Sequence, residues 1–420
     1  MHVQKQKIVV IGLGYIGLPT ASMLATKGHN VIGVDVRDDV IETINSGNIH
    51  IVEPDLDVLV RSAVNCGRLK ASLTPEVADT FIIAVPTPFK NTDYNPKAPD
   101  LSHVEAATRS FAPFLKPGNL VILESTSPVG TTISVNKIIQ ELRPDLFDSD
   151  LNNQNSNQVY VAHCPERVLP GHIIRELVDN DRIIGGIDRA SAEKAWELYK
   201  TFCSGNIFLT DAKTAEMAKL TENSFRDVNI AFANELSMIC DRLEINVWEL
   251  IELANKHPRV NILQPGPGVG GHCIAVDPWF IVAAAPDESK LIQTARQVND
   301  RKLHWVIEKI RNKAQRFKNP VIGCLGLAFK ANIDDLRESP ALEITRNLIA
   351  SGIGRVMACE PNVNEGFNEF PLYKLGHVLK DADILLVLVD HVEFKEIDRD
   401  LLEEKIVIDT RGIWRSQSCI

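Results

Sequence analysis

The sequence predicts an α/β protein with two Rossmann-like, doubly wound domains that are joined by a central helical segment. Three observations support this prediction. Apolar strand patterns alternate with amphipathic stretches at both ends of the chain, a glycine-rich turn follows the first strand, and the middle of the chain has a helical pattern. Strands that alternate with helices build a parallel sheet covered on both faces. We predict boundaries at residues 1–210, 211–315 and 316–420.

The strands of the first domain are runs rich in Val and Ile, as parallel strands buried on both faces require. They are predicted at residues 7–11, 31–34, 81–85, 119–123 and 159–163. Amphipathic stretches at 18–27 and 40–46 predict helices between the first strands. Residues 148–158 are rich in Asp, Asn, Ser and Gln and predict a solvated loop.

The middle of the chain has apolar residues at steps of three and four between residues 211 and 257, with no proline before its end. This pattern predicts one long helix followed by a second. A loop rich in Gly and Pro follows at 264–271, and another helix is predicted at 289–314. Strand patterns then return at 321–325, 355–358, 384–389 and 406–408, which predicts the second α/β domain.

Composition excludes several classes of protein. The chain has 420 residues, 45% of them hydrophobic and 24% charged, which is typical of a globular protein of two or three domains. The net charge of -10 argues against a nucleic-acid groove. The eight cysteines form no CxxC pair, so we expect no metal site. No secretory signal or membrane-length apolar run is present, and we predict a cytoplasmic protein without a membrane partner.

A dinucleotide site is predicted directly after the first strand. The motif reads Gly12-Leu13-Gly14-Tyr15-Ile16-Gly17. The first glycine permits a tight turn, the second lets the backbone approach a pyrophosphate, and the third lets helix and strand pack closely. Asp35 ends the second strand, where an acid accepts from ribose hydroxyls and favours NAD over NADP. Arg37 slightly weakens that preference. The alternative is a glycine-rich turn without a ligand, which the register of strand, helix and acid disfavours.

Two further loops follow predicted strands and should face the cofactor. Pro86 and Thr87 follow the third strand, and Thr126 lies in the segment 124–130 that follows the fourth. Ligands of such sheets bind beyond the carboxyl ends of the strands. The alternative is ordinary loop chemistry of Pro and Gly, and spacing alone leaves both interpretations open.

Cys273 is a candidate nucleophile at the end of the most unusual stretch of the chain. Residues 265–271 contain four glycines and two prolines, which excludes a helix or a strand and indicates a shaped loop. A thiolate attacks carbonyl carbons well. The alternative is a buried structural cysteine, the usual role of an unpaired thiol. The pattern alone leaves both open.

Lys219, Asn223 and Asp227 lie four residues apart and share one face of the predicted long helix. Lysine and asparagine side chains together can stabilise an oxyanion. The alternative is a solvated polar stripe. Asn234 and other polar residues within this otherwise apolar helix suggest instead that it lines a polar pocket.

The sequence resembles that of the UDP-glucose/GDP-mannose dehydrogenase family over nearly the whole chain. The resemblance rests on the glycine motif and on residues 124–131, 164–171, 215–235, 257–278 and 329–341. It implies an N-terminal NAD-binding domain, a long central helix that forms a homodimer interface, and a C-terminal UDP-binding domain.

The resemblance also implies the chemistry. The sugar C6 loses a first hydride to give an aldehyde, Cys273 adds to it as a thiohemiacetal, and a second hydride transfer leaves a thioester. Water then releases a uronate, so that two NAD are reduced for each sugar.

Site roles follow from the resemblance position by position. Cys273 is the nucleophile, with Lys219 and Asn223 beside the oxyanion; Asp277 positions water. Glu166 is a candidate base in thioester hydrolysis, and Thr126 holds a water or contacts the nicotinamide. The other implied contacts are Arg337 toward the cofactor, and Arg167, Val168, His257, Arg259, Gly270, Lys330 and Arg411 toward the substrate, with Arg259 reaching the site of the neighbouring subunit.

The resemblance further implies an N-acetylated sugar. Ala275 and Val276 replace the Pro-Lys of the UDP-glucose branch, and Asn229 stands where that branch has a basic residue. The expected reaction is oxidation of UDP-N-acetyl-D-mannosamine, with UDP-N-acetylglucosamine or UDP-N-acetylgalactosamine as competing substrates. The same sequence pattern is also compatible with a non-catalytic nucleotide-sugar-binding protein or with a two-electron 3-hydroxyacid dehydrogenase.

Overall fold

The computed structural model describes residues 5–90, 97–147, 158–271, 273–363 and 367–414. Most of the loop predicted at 148–158 therefore lies outside the described residues. The chain divides into two compact units, Met1–Thr221 with Trp279–Ala284 and Glu222–Pro278 with Ala285–Ile420. The three-part division proposed from the sequence stays a prediction.

The first unit contains an eight-stranded sheet. Its strands are β1 Lys7–Ile11, β2 Asn30–Val34, β3 Leu69–Ser72, β4 Thr80–Ile83, β5 Leu120–Leu123, β6 Tyr160–His163, β7 Arg182–Gly186 and β8 Ile207–Asp211. Their order is β3-β2-β1-β4-β5-β6-β7-β8. The strands pair in parallel except β6 and β7, which are antiparallel.

Helices cover the sheet of the first unit. They are α1 Gly17–Thr26, α2 Asp38–Asn45, α3 Leu56–Asn65, α4 Ser102–Phe111, α5 Thr131–Leu142, α6 Ile173–Asp179 and α7 Arg189–Tyr199. Successive residues of β1 enter different cores: Ile8 and Val10 pack in one cluster, Val9 and Ile11 in another. This is the arrangement expected of a central parallel strand covered on both faces.

The long helices predicted for the middle of the chain are confirmed. They are α8 Ala212–Leu243, α9 Val247–Ala254 and α11 Lys290–Ala314, and α10 Asp277–Ala284 is a further helix that was not predicted. Within the described residues, no helix combines the length and apolar character needed to cross a membrane.

The second unit contains a four-stranded parallel sheet in the order β10-β9-β11-β12. Its strands are β9 Val321–Leu325, β10 Arg355–Cys359, β11 Ile384–Val387 and β12 Ile406–Asp409, and its helices are α12 Pro340–Ser351, α13 Leu375–Asp381 and α14 Val392–Lys395. The predicted fold class, two Rossmann-like α/β sheets with long central helices, is confirmed.

Candidate active site

The glycine motif forms the turn between β1 and α1. Gly12 has a φ of 91°, and a Cβ atom there would lie 2.4 Å from the carbonyl oxygen of Ala84. A Cβ atom on Gly17 would lie 1.8 Å from the carbonyl oxygen of Gly12, so helix and turn meet backbone to backbone. Gly14 is exposed, with open space beside its Cα among the described residues. The turn therefore leaves room for a pyrophosphate above the first turn of α1, where the helix offers N–H groups.

The acid that follows β2 is held against this turn. Asp35 Oδ2 accepts the N–H of Leu13 at 3.0 Å, and Oδ1 accepts the N–H of Arg37 at 3.1 Å. Its carboxylate is half-buried, which leaves it able to receive ribose hydroxyls. The exposed guanidinium of Arg37 pairs with Asp39. The residues present therefore fit an NAD adenosine without a 2′-phosphate.

The loops after β4 and β5 meet at the carboxyl edge of the sheet. Thr87 Oγ1 donates to the carbonyl oxygen of Thr126 at 2.6 Å, and Ser125 Oγ donates to that of Val85 at 2.7 Å. The structure thus brings Thr87 and Thr126 together, as the strand order requires. Pro86 is exposed beside them.

Helix α8 fixes the segment that carries Thr126. The buried Glu216 carboxylate accepts the backbone N–H groups of Gly130 and Thr132 at 2.6 and 2.7 Å, and the Thr132 hydroxyl at 2.6 Å. An acid at this position satisfies N–H groups at the start of α5. Burial raises the pKa of Glu216, and these three hydrogen bonds counteract that effect.

Glu166 is buried beside an arginine that sequence reasoning missed. Arg182 Nη2 donates to Glu166 Oε2 at 3.1 Å, and the N–H of Arg167 donates to Glu166 Oε1 at 2.7 Å. Arg182 begins β7, and its guanidinium lies over the ring of Tyr199 with 4.9 Å to the centroid. The Glu166 carboxylate is therefore held in one orientation by two donors.

The loop that carries Glu166 is anchored by an acid from residues 49–56. Glu53 is buried and accepts the N–H groups of Gly171 and Ile173 at 2.8 and 2.7 Å. Arg167 Nη1 donates to the carbonyl oxygen of Asp181 at 3.0 Å, and Val168 is half-buried. The segment 164–171 is thus a braced loop at the end of β6.

Lys219 and Asn223 are both buried on α8, with 8% and 7% of their surfaces exposed. Asp227, one turn further on, is fully buried. This burial excludes the solvated polar stripe. Lys219 is close enough to His163 for its charge to act on that ring, and burial, aided by this charge, lowers the pKa of His163 to about 3. His163 is therefore neutral beside Lys219.

Cys273 is exposed and lies on a turn, which excludes the buried structural thiol. Its carbonyl oxygen accepts the N–H groups of Val276 and Asp277 at 3.1 and 2.9 Å, so the turn leads directly into α10. Asn223 Nδ2 donates to the buried Asp277 carboxylate at 2.5 Å. The structure therefore ties the thiol turn to α8 through the two residues predicted to act beside it.

The polar residues of α8 also hold the Gly/Pro loop. Asn234 Oδ1 accepts the N–H of Gly266 at 2.9 Å, and Asn234 Nδ2 donates to Asn299 at 2.9 Å. Asp227 accepts from Arg296 at 2.6 Å and from Asn299 at 2.8 Å. Asn234 and Asp227 therefore anchor the loop and α11, whereas the sequence suggested that the polar residues line a pocket.

Close backbone packing shapes the loop before Cys273. A Cβ atom on Gly270 would lie 2.4 Å from the carbonyl oxygen of Glu338, and one on Gly266 would lie 2.7 Å from Arg411 Nη1. Phe329, which precedes the exposed Lys330, packs against Gly271. The structure thus brings Gly270, Arg411 and the Lys330 segment together around the loop.

The charged candidates of the second unit have partners of their own. Arg411 pairs with Asp390 at 2.8 Å, and Arg337 pairs with Asp335 at 2.6 Å. His257 and Arg259 are exposed beyond the end of α9, where the Nδ1 atom of His257 accepts the N–H of Arg259 at 3.3 Å. Their roles toward cofactor and substrate rest on the resemblance.

The glycine-rich turn after β1 and the acid that follows β2 define a dinucleotide-binding protein, and the chain also carries an exposed thiol at Cys273. The UDP-glucose/GDP-mannose dehydrogenase family matches the chain in three parts: its NAD binding domain at residues 6–203, its central domain at 213–301 and its UDP binding domain at 323–416. The chain belongs to this family, and NAD as its cofactor is confirmed.

Several relatives match almost the whole chain. An NDP-N-acetyl-D-galactosaminuronic acid dehydrogenase of Ralstonia nicotianae is 57% identical over 98% of this chain and 96% of its own length. A UDP-N-acetyl-D-mannosamine dehydrogenase of Campylobacter jejuni is 56% identical over 94% and 98%. The structure of the UDP-N-acetyl-mannosamine dehydrogenase from S. aureus superimposes with a TM-score of 0.86, at 44% identity and over 98% and 96% of the two chains.

Proposed function

We propose that the protein oxidises the C6 hydroxymethyl group of UDP-N-acetyl-D-mannosamine to a carboxylate, with two NAD reduced for each sugar. The observation that carries the proposal is the exposed Cys273 thiol on a turn braced by the buried Asn223–Asp277 hydrogen bond. NAD, when bound, accepts one hydride from C6 in each of the two oxidation steps.

The side chains of this chain supply the remaining chemistry. The Cys273 sulfur adds to the aldehyde carbon and forms a thiohemiacetal, whose oxygen is stabilised by Lys219 and Asn223. Loss of the second hydride leaves a thioester on Cys273. Water then attacks the thioester carbon, and Glu166 takes the proton of that water. The C–S bond breaks to release the uronate, and the proton passes from Glu166 to the departing thiolate, which restores the thiol and the base.

Replacing the thiol tests the covalent mechanism. Cys273→Ser should lower uronate formation by at least about 10³-fold, because the nucleophile is lost, while UDP-sugar affinity stays within a few-fold of the wild-type value. Cys66→Ser, at another exposed cysteine, is the matched control and should retain full turnover. Uronate made by Cys273→Ser at the normal rate would exclude the mechanism. One NADH per sugar in the wild type would favour the two-electron enzyme.

The choice of sugar needs a panel of UDP-N-acetylhexosamines with NADH counted per turnover. We expect the highest kcat/KM with UDP-N-acetyl-D-mannosamine. A second candidate is UDP-N-acetylgalactosamine, because the relative with 57% identity is named for the galactosaminuronic acid. Turnover of that sugar, or of UDP-N-acetylglucosamine, without turnover of the mannosamine would reject the first choice.

The assembly proposed with this function is a homodimer through α8. Phe225, Phe232 and Ile239 recur at seven-residue steps on this helix and are 68%, 51% and 47% exposed. Residues with this spacing form one stripe, which a second copy of the helix can cover. Phe232→Asp should give a monomer in light scattering, whereas Val392→Asp, at a 50% exposed apolar residue outside α8, should not. A dimer that survives Phe232→Asp would reject this interface.

A further inference from the structure

A buried cluster of ionisable groups lies behind Glu166. Glu166, Glu124 and Arg182 are 7%, 1% and 3% exposed, and Tyr199 is fully buried. With both carboxyl groups ionised, two negative charges would share one guanidinium in the protein interior. Because an uncompensated buried charge is costly, we expect this cluster to hold one proton near neutral pH.

The hydrogen bonds show which carboxyl group is suited to the proton. Glu166 accepts from the Arg182 guanidinium and from a backbone N–H, and both donors favour the carboxylate form. Glu124 Oε1 accepts from the Tyr199 hydroxyl at 2.5 Å. Its second oxygen is buried and accepts no hydrogen bond of ordinary geometry in the part of the chain that the structure describes, and only the nearby Thr20 hydroxyl favours a charge on it. A buried oxygen without a partner costs less on a neutral acid than on a carboxylate.

The electrostatics of the cluster agree with this assignment. Burial, followed by the negative charge of Glu166, raises the pKa of Glu124 to about 7; Tyr199, Arg182 and Thr20 act in the opposite direction. Burial raises the pKa of the neighbouring Cys164 thiol to about 12 and that of Tyr199 well above its ordinary value. Glu124 is therefore the member of the cluster that can change its charge near neutrality.

We propose that Glu124 is a positioning residue that holds the proton of this cluster, and thereby keeps Glu166 as the carboxylate that takes a proton from the attacking water. The proposal rests on the proposed function, in which Glu166 is the base of thioester hydrolysis. Pairs of carboxyl groups whose surroundings favour opposite protonation states are a general route to assigning an acid and a base.

Infrared difference spectroscopy tests the proposal without turnover. The wild type should show the C=O band of a buried carboxylic acid that disappears as the pH rises through about 7. Glu124→Gln should remove this band. Glu166→Gln should keep the band but shift its midpoint to lower pH, because the neighbouring charge is gone. A band removed by Glu166→Gln and retained in Glu124→Gln would overturn the proposal.

The pH profile of thioester hydrolysis, followed in single turnovers, gives the second test. The wild type should show an inflection near pH 7 from Glu124. Glu124→Gln should remove the inflection, and Tyr199→Phe should move it to higher pH because a donor that stabilises the Glu124 carboxylate is lost. An inflection near pH 7 that persists in Glu124→Gln would show that another group titrates there, and would reject the proposal.

The two measurements separate the proposal from the function on which it rests. If the protein made no uronate, the infrared band and its response to Glu166→Gln would still decide which carboxyl group holds the proton. A merely structural role for Glu124 would change the rate equally at every pH and leave the wild type without a neutral inflection. Tyr199→Phe keeps the test available if Glu124→Gln fails to fold.

Discussion

The two sheets begin with the same turn and use it differently. Gly12 after β1 and Gly326 after β9 both have a φ of 91°. In each unit, the acid that follows the neighbouring strand accepts N–H groups from this turn: Asp35 accepts from Leu13, and Glu360 accepts from Leu327 and Ala328 at 2.7 and 3.0 Å.

The difference lies in what surrounds the acid. Asp35 is half-buried, and α1 begins at Gly17, the last glycine of the motif. Glu360 is buried, contacts His391 Nε2 at 3.1 Å and also accepts the N–H of Asn362 at 3.0 Å. The chain after Gly326 reaches no helix until α12 at Pro340. In this chain, the turn that fits a dinucleotide is therefore the one whose acid is accessible and whose helix N-terminus can face the phosphates.

The largest effects should come from alanine at the two turn glycines. A Cβ atom would lie 2.4 Å from Ala84 O at Gly12 and 2.4 Å from Val389 Cβ at Gly326, each with an unfavourable φ. Both substitutions should lower the free energy of unfolding by about 2–4 kcal/mol in urea titrations. Only Gly12→Ala should also abolish NAD binding in calorimetry.

Gly14→Ala is the matched control for this pair. Its Cβ atom would enter open space, so stability should change little, whereas the pyrophosphate should lose its close approach and NAD should bind more weakly. If Gly326→Ala weakened NAD binding by the folded protein as strongly as Gly12→Ala, the two turns would not differ as we describe.

Substitutions of Glu360 and Asp35 should separate an effect on stability from an effect on NAD binding. Glu360→Gln leaves His391 and the turn N–H groups without a carboxylate, and should lower the free energy of unfolding by about 2–3 kcal/mol. Asp35→Asn should change stability by less than about 1 kcal/mol but weaken NAD binding by about tenfold, since ribose hydroxyls lose a charged acceptor. Urea titration and NAD calorimetry on both variants measure the two effects. An Asp35→Asn variant with unchanged NAD affinity would show that the Asp35 carboxylate does not bind the ribose.

A pH titration tests how the buried acid Glu360 contributes to stability. Burial raises the pKa of Glu360, but hydrogen bonds from His391, Leu327 and Asn362 outweigh it, and the net pKa is lowered from its ordinary 4.5. An acid with a lowered folded-state pKa adds stability above its unfolded pKa and loses it as the pH falls through the folded value. The stability lost in Glu360→Gln should therefore shrink as the pH falls below 4.5 in thermal denaturation. A constant difference from about pH 3 to about pH 6 would contradict this.

Local pattern was enough for the central strands of both sheets. The predictions at residues 7–11 and 321–325 match β1 and β9, because a strand covered on both faces is a continuous apolar run. The strands β3, β7 and β8 were missed. Two of them are sheet edges with exposed or half-exposed residues, and β7 begins with a buried arginine and ends with two glycines.

In the candidate site, too, local sequence predicted some features and missed others. The Gly/Pro composition before Cys273 predicted a shaped loop, and the glycine spacing predicted the turn at Gly12. The bond from Asn223 to Asp277 joins residues 54 positions apart, and Arg182 meets Glu166 from another strand. Such contacts depend on which elements the fold makes adjacent, and no local periodicity carries that information. Glu124 and Arg182 were missed because a charged residue in a sequence indicates a solvated position unless its partner is known.

The smallest expected effect concerns the preference for NAD over NADP, to which Asp35 and Arg37 contribute. The Arg37 guanidinium is exposed and donates from Nε to Asp39 at 3.0 Å, so this group is engaged with Asp39 and not with a 2′-phosphate. The negative charge of Asp35 repels a 2′-phosphate as well. Asp35→Ser should lower the preference for NAD over NADP, measured as a ratio of kcat/KM. Adding Asp39→Asn should release Arg37 and lower that ratio by a further factor of about 3–10, as expected for one exposed charge-assisted contact. If the second substitution left the ratio unchanged, Arg37 would not contact the 2′-phosphate of NADP. Asp35 alone would then set the preference for NAD.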